Sequence, residues 1–210
     1  MTSMTLMERL KSQWRQHYAS GWAALRATPP FAFLMPLLSI ALIAIVQQLP
    51  FAWFTEKPVQ EIAAPVVLAI AAGTVLVGYR WFRETLPLML AVLVWALFLR
   101  ELHFEFMNGG ILFALAGLAW WLSTVRLEIA DWLAHFWIRF WLASAFLSYF
   151  ISDMLDRHVF SFLPNYRSWN NNVEESLETC GHVMIFALVL ATIRAGQNLA
   201  AKSTKPGDAS

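Results

Sequence analysis

Residues 174–193 of the chain read EESLETCGHVMIFALVLATI, and this stretch decides the fold. Its apolar part, Val183 to Ile193, has eleven residues, whereas a helix needs about 20 residues to span a bilayer. A membrane span must therefore begin near Glu174, and it then carries three glutamates and His182 into the membrane. Because ionisable groups at membrane depth are costly, these residues predict a functional site.

The composition of the whole chain is typical of a helical membrane protein. Of its 210 residues, 59% are hydrophobic and only 14% are charged, whereas soluble domains carry about 25% charged residues. Eleven tryptophans and sixteen phenylalanines add a strong aromatic bias. The net charge of +1 gives no basis for nucleic-acid binding. The single cysteine, Cys180, excludes an intrachain disulfide.

The expected fold class is all-α, a polytopic integral membrane protein with six transmembrane helices and an in-plane amphipathic N-terminal helix. Apolar residues recur every three or four positions in residues 4–26, as in helices that lie in the membrane interface or pack on cytoplasmic loops. We predict a cytoplasmic interfacial helix at residues 1–28, a transmembrane domain at 29–196 and a disordered cytoplasmic tail at 197–210. The expected spans are residues 31–51, 62–79, 86–106, 111–125, 132–152 and 175–193.

The positively charged residues predict how the chain is oriented in the membrane. Ten Lys and Arg residues lie in the N-terminal segment, the loops after the second and fourth spans, and the tail, against three in the opposite loops. Since positive loops stay inside, both termini are expected in the cytoplasm, and the location expected is the cell inner membrane. The outer connection at residues 153–173 is rich in aromatic residues, so we expect a loop that dips into the interface and covers the polar site.

Three spans bring ionisable groups to the outer side at a similar depth. Arg100 follows about 21 Å of apolar helix, and the hydrocarbon core is about 30 Å thick, so it is expected in the outer leaflet. On the sixth span, Glu175, Glu178 and His182 are three and four residues apart and share a face. The predicted catalytic residues are Glu178, His182 and Glu101. The predicted substrate-binding residues are Arg100, His103, Asp153, Asp156, Arg157 and Glu175.

These residue types suggest acid–base or metal chemistry. Glu178 would act as a base or a metal ligand, His182 as a ligand or a proton carrier, and Arg100 would bind an anionic head group or orient a carboxylate. Glu178 and His182 lie one helix turn apart, so both can ligate one ion. His103 is the third candidate ligand, and Glu101, Asp153 or His158 could complete the shell in its place. A divalent metal is therefore the candidate cofactor, although neither HExxH nor ExxH is present.

The sequence leaves three functions open. The first is a membrane-embedded enzyme or binding protein for a lipid-linked or amphiphilic substrate. The second is a non-catalytic subunit or assembly factor whose charged cluster is a structural ion-pair network, with Arg100 pairing to Glu178 or Glu101 and Arg157 to a glutamate of the sixth span. The third is a small proton- or ion-coupled transporter. The expected partners are the lipid bilayer and either another membrane protein or a second copy of the chain.

Overall fold

The computed structural model describes residues 26–102, 107–125, 128–163 and 166–203, and all regular structure in these ranges is helical. The α-helices of the described part of the chain are α1 (Met35–Val46), α2 (Lys57–Phe82), α3 (Thr85–Glu101), α4 (Met107–Val125), α5 (Ala130–Ala134), α6 (Phe136–Asp156) and α7 (Tyr166–Ser203). Two short 3-10 helices, Pro30–Phe33 and Ala52–Thr55, flank α1.

Three of these helices are long and apolar enough to cross a membrane. They are α2, α6 and the segment Trp169–Ala201 of α7. Helix α1 and the segment Phe113–Val125 of α4 are shorter apolar helices. The prediction of an all-helical protein with membrane-spanning helices is confirmed to this extent. The amphipathic helix predicted at residues 1–28 falls almost wholly outside the described residues.

Helix α1 is shorter than the span predicted at residues 31–51. It has 12 residues and ends at Val46, which corresponds to about 18 Å of helix. Pro50 disfavours the helical conformation in Leu49, and two glutamines precede that pair. The chain therefore leaves the helix earlier than hydropathy alone suggests.

The fifth predicted span, residues 132–152, is divided into α5 and α6. The break is at His135, whose backbone is extended. Arg139 compensates for it, because its Nη1 donates hydrogen bonds to the carbonyl oxygens of Leu133 at 2.7 Å and Ala134 at 3.0 Å. These carbonyls at the end of α5 have no partner within their own helix. Arg139 thus has a structural role.

Helix α7 has 38 residues and extends well beyond the predicted span at both ends. The loop predicted at residues 153–173 is wrong for 166–173, which form the first turns of α7. Tyr166 Oη and Asn170 Nδ2 both donate to the carbonyl oxygen of Leu155, at 2.5 and 3.3 Å, and so fix the start of α7 to the end of α6. At the other end, residues 197–203 are helical, so the predicted disordered tail does not begin at 197.

Helices α6 and α7 form the largest helix–helix interface of the described chain, and α7 also packs against α2. Buried serines on α6 line this interface. Ser148 Oγ donates to Met184 Sδ at 3.3 Å, and Ser152 Oγ donates to the carbonyl oxygen of Glu174 at 3.2 Å. Small hydroxyl side chains let the two helix backbones approach closely and give their hydroxyls partners in the interface.

Helix α4 is the least integrated of the long helices. It packs on α3, whereas its described residues make at most marginal contact with α6 and α7. This arrangement leaves a gap between α4 and α6 on one side of the bundle. The gap gives access to the C-terminal end of α3 and the N-terminal half of α7, where the predicted polar residues lie.

Candidate functional site

The last turn of α3 and the middle of α7 form a charged cluster. Arg100 Nη1 lies 2.5 Å from Glu178 Oε1, and these side chains are 37% and 15% exposed. Arg100 is also within electrostatic reach of Glu101. The two neighbours Arg100 and Glu101 both reach α7, because α3 ends there and α7 presents Glu178 and His182 on successive turns.

His182 is the buried centre of the cluster, with no solvent exposure. Its Nδ1 lies 2.5 Å from Tyr149 Oη on α6. Its Nε2 lies 3.5 Å from Glu101 Oε1, which counts as an ionic contact but is too long for a good hydrogen bond. His182 Nε2 therefore has no hydrogen-bond partner among the described residues. The ring is therefore held on one side and open toward the carboxylates on the other.

Tyr149 belongs to this site, although the sequence analysis did not select it. Its ring can approach α7 because residue 181 is glycine, where a Cβ would lie 3.2 Å from Tyr149 Cζ. The available signal was weak: Tyr149 is the only tyrosine in residues 132–152, and a buried tyrosine hydroxyl usually needs a partner. Hydropathy and span length do not identify that partner as His182.

A groove of about 820 Å³ connects the cluster to the gap between α4 and α6. One part of its wall is apolar and includes Leu93, Leu97, Leu115, Leu142, Phe146 and Ile185. Leu115 and Phe146 are 43% and 67% exposed, so the apolar part opens sideways, toward the position that lipid would occupy. The polar end of the groove includes Arg100, Tyr149, Ser152, Asp153, Asp156, Arg157, Glu174 and Glu178.

Negative charge prevails among the described groups at the polar end. Arg157 Nε donates to Asp153 Oδ2 at 2.8 Å, and this hydrogen bond raises the pKa of the Arg157 guanidinium above its ordinary value. Arg157 thus pairs with an aspartate of its own helix, not with the glutamate of the sixth span that we expected. With Arg100 paired to Glu178, the carboxyl groups of Asp156 and Glu174 remain, and Asp156 is the one exposed to solvent. The described part of the polar end therefore has more acidic than basic side chains.

Among the described residues predicted for substrate binding, Glu175 does not line the groove. Glu175 Oε1 accepts a hydrogen bond from Lys57 Nζ at 2.6 Å and is absent from the groove lining. Helix α7 contacts both α2 and α3, and Glu175 meets Lys57 on α2 whereas Glu178 meets Arg100 on α3. Glu175 and Glu178 are separated in this way despite sharing a face. His103 lies outside the described residues, whereas Asp153, Asp156 and Arg157 do line the groove.

Glu101, Glu178 and His182 are the described residues that could together hold a metal ion. Each offers one ligand atom, and these atoms all lie within 4.8 Å of one another. Glu101 takes the third position, for which the sequence offered it beside His103, Asp153 and His158. The set contains one imidazole nitrogen and two carboxylate oxygens, which are ligands that divalent transition metals accept.

Comparisons of the chain with models of protein families, with characterised proteins and with solved structures find no match. Any functional conclusion therefore rests on the geometry of the groove and its cluster.

Proposed function

We propose that this protein binds an amphiphile in its lateral groove and acts on the head group at the Arg100–Glu178–His182 cluster. The observation that carries this proposal is the groove itself, whose apolar wall is open sideways and whose polar end is lined by Arg100, Glu178 and Tyr149, the hydroxyl of which contacts the buried His182. Its volume of about 820 Å³ falls in the usual range of about 300–1,000 Å³ for small-molecule sites. An amphiphile matches this division between apolar and polar surface.

The proposal includes the membrane topology expected from the sequence. The six spans are α1, α2, α3, α4, α6 and α7, in a cell inner membrane with both termini in the cytoplasm. Helix α1 is too short to cross a bilayer of ordinary thickness, so it requires local thinning of the membrane. In this orientation, α3 rises from the cytoplasmic side and ends with Arg100 and Glu101 in the outer leaflet. An amphiphile of the outer leaflet then enters between α4 and α6.

The charge of the polar end selects the head group. Arg100 orients the carboxylate of Glu178, and the excess carboxylates of Asp156 and Glu174 attract a positive group. We therefore propose a substrate with an ammonium-bearing head. Glu178 and His182 act on this head group, with Glu101 and Tyr149 as the neighbours of His182.

Binding can be tested with single-chain probes that share one alkyl tail and differ in the head, which is trimethylammonium, phosphate or maltoside. With the full chain in lipid nanodiscs, the ammonium probe should bind most tightly. Replacing the exposed Asp156 by Asn should weaken it about fivefold, since an exposed charge contributes about 1 kcal/mol. Replacing the half-buried Glu174 by Gln should also weaken it. Glu61→Gln is the matched control, because Glu61 is an exposed carboxylate outside the groove. A preference for the phosphate probe would refute the proposed head group.

Turnover is tested by incubating the protein with a lipid extract and following conversion by mass spectrometry. Glu178→Gln should abolish conversion while the protein inserts and purifies normally.

The Arg100–Glu178 pair also joins α3 to α7, and this observation favours the second candidate, a structural subunit or assembly factor. If Glu178→Gln loses its fold and the wild-type protein converts no lipid, the structural role is preferred.

A further inference from the structure

We infer that Glu101, Glu178 and His182 bind one divalent transition-metal ion beside the polar end of the groove, which Glu178 lines. This inference deepens the proposed function and rests on it in one respect, since the ion would lie beside the bound head group. The metal site itself is argued from the side chains alone.

The geometry is close to that of a metal site. The three ligand atoms lie within 4.8 Å of one another, whereas tetrahedral ligands bonded at about 2.0–2.1 Å are roughly 3.4 Å apart. Two of the three side chains are glutamates at a helix end or a groove wall, so small torsional changes can close the difference.

The second observation is the unpartnered nitrogen of His182. The side chain has no solvent exposure, and its Nε2 is directed at Glu101 without a hydrogen bond among the described residues. A buried polar atom without a partner is costly, and a metal bond at Nε2 removes that cost. Tyr149 Oη at Nδ1 supplies the outer contact that metal-bound histidines commonly have, since it fixes the ring and its tautomer.

The ligand types identify the class of ion. Glu101 and Glu178 each offer a carboxylate oxygen, and His182 offers an imidazole nitrogen. One imidazole and two carboxylates suit Zn²⁺, Mn²⁺ or Fe²⁺ better than Ca²⁺, which prefers oxygen ligands only, or Cu⁺, which prefers sulfur.

Zinc is the probe for the test. The full chain is purified, treated with a chelator, dialysed and titrated with ZnCl₂, and the bound metal is counted by elemental analysis. We expect one ion per chain. Loss of an outer-shell partner typically lowers metal affinity about 10–100-fold, so Tyr149→Phe should lower zinc affinity by that factor. The ligand variants should lower zinc affinity further, and they are Glu101→Gln, Glu178→Gln and His182→Gln. Glu175→Gln is the matched control, since that carboxylate binds Lys57 and should leave affinity unchanged.

Arg100→Gln separates the metal site from a purely ionic network. It removes a competing cation from Glu178, so zinc affinity should rise severalfold. If His182→Gln does not fold, the metal site is tested with Glu101→Gln and with ¹⁵N-histidine NMR of the wild-type protein. Zinc binding should shift the Nε2 resonance of His182. The inference is overturned if no ion binds stoichiometrically, or if all carboxylate variants bind zinc as well as Glu175→Gln does. If the ammonium probe binds but zinc does not, the metal site is refuted and the proposed function is retained. If zinc binds but the probe does not, the proposed function is refuted and the metal site is retained.

Discussion

Arg100→Met removes the guanidinium that pairs with Glu178, and the resulting change in the free energy of unfolding measures how much this ion pair between α3 and α7 stabilises the protein. Breaking a fully buried ion pair costs about 3–5 kcal/mol, whereas an exposed pair contributes about 0–1 kcal/mol. Arg100 is 37% exposed and Glu178 is 15% exposed, so water screens part of this 2.5 Å contact. We therefore expect a loss of about 2 kcal/mol in the free energy of unfolding, between the two limits.

Thermal unfolding of four proteins measures this interaction: wild type, Arg100→Met, Glu178→Gln and the double variant. For a chain of this size, about 2 kcal/mol corresponds to a fall of about 4–8 °C in Tm. The double variant should recover part of the loss, with a coupling energy of about 1–2 kcal/mol. The control cycle is Lys57→Met with Glu175→Gln, because Lys57 is 53% exposed and its coupling should stay below about 1 kcal/mol.

Additivity would refute this reasoning. If the Arg100 and Glu178 effects sum to the double-variant effect within about 0.5 kcal/mol, the contact contributes nothing as a pair. If Arg100→Met lowers the free energy of unfolding no more than Lys57→Met does, solvent screens the Arg100–Glu178 pair as fully as the exposed control pair. Either result would also remove the argument that Arg100 orients the carboxylate of Glu178.

Three further predictions concern other parts of the site. Gly181→Ala places a Cβ 3.2 Å from Tyr149 Cζ and should weaken zinc binding, whereas Gly73→Ala has nothing within 4 Å and should leave it unchanged in the same titration. Tyr166→Phe should cost about 1 kcal/mol and speed hydrogen exchange at the start of α7, because the bond to the Leu155 carbonyl is lost; unchanged exchange would contradict that bond. Phe146→Asn should weaken all three amphiphile probes with little change in Tm, since this side chain is 67% exposed on the groove wall; undiminished binding would contradict the assigned tail site.

Depth along each helix could be predicted well from the sequence. Counting apolar residues from the start of the third predicted span placed Arg100 at a similar level to Glu178, and the two side chains meet. Rotation about the helix axis could not be predicted in the same way. Glu175 was expected beside Glu178, yet it pairs with Lys57 on α2, because small differences in direction select different neighbouring helices.

The sequence alone determined that this chain is helical, that its helices are apolar enough to cross a membrane, and that ionisable groups from several helices lie near one end. Hydropathy and the rise per residue are properties of one segment at a time, so they can be evaluated without knowing the neighbours. Only the tertiary structure decided that Tyr149 contacts His182, that Glu101 faces the same ring, and that α4 stands apart to leave a groove. Those features depend on how all the helices pack together, which no single segment encodes.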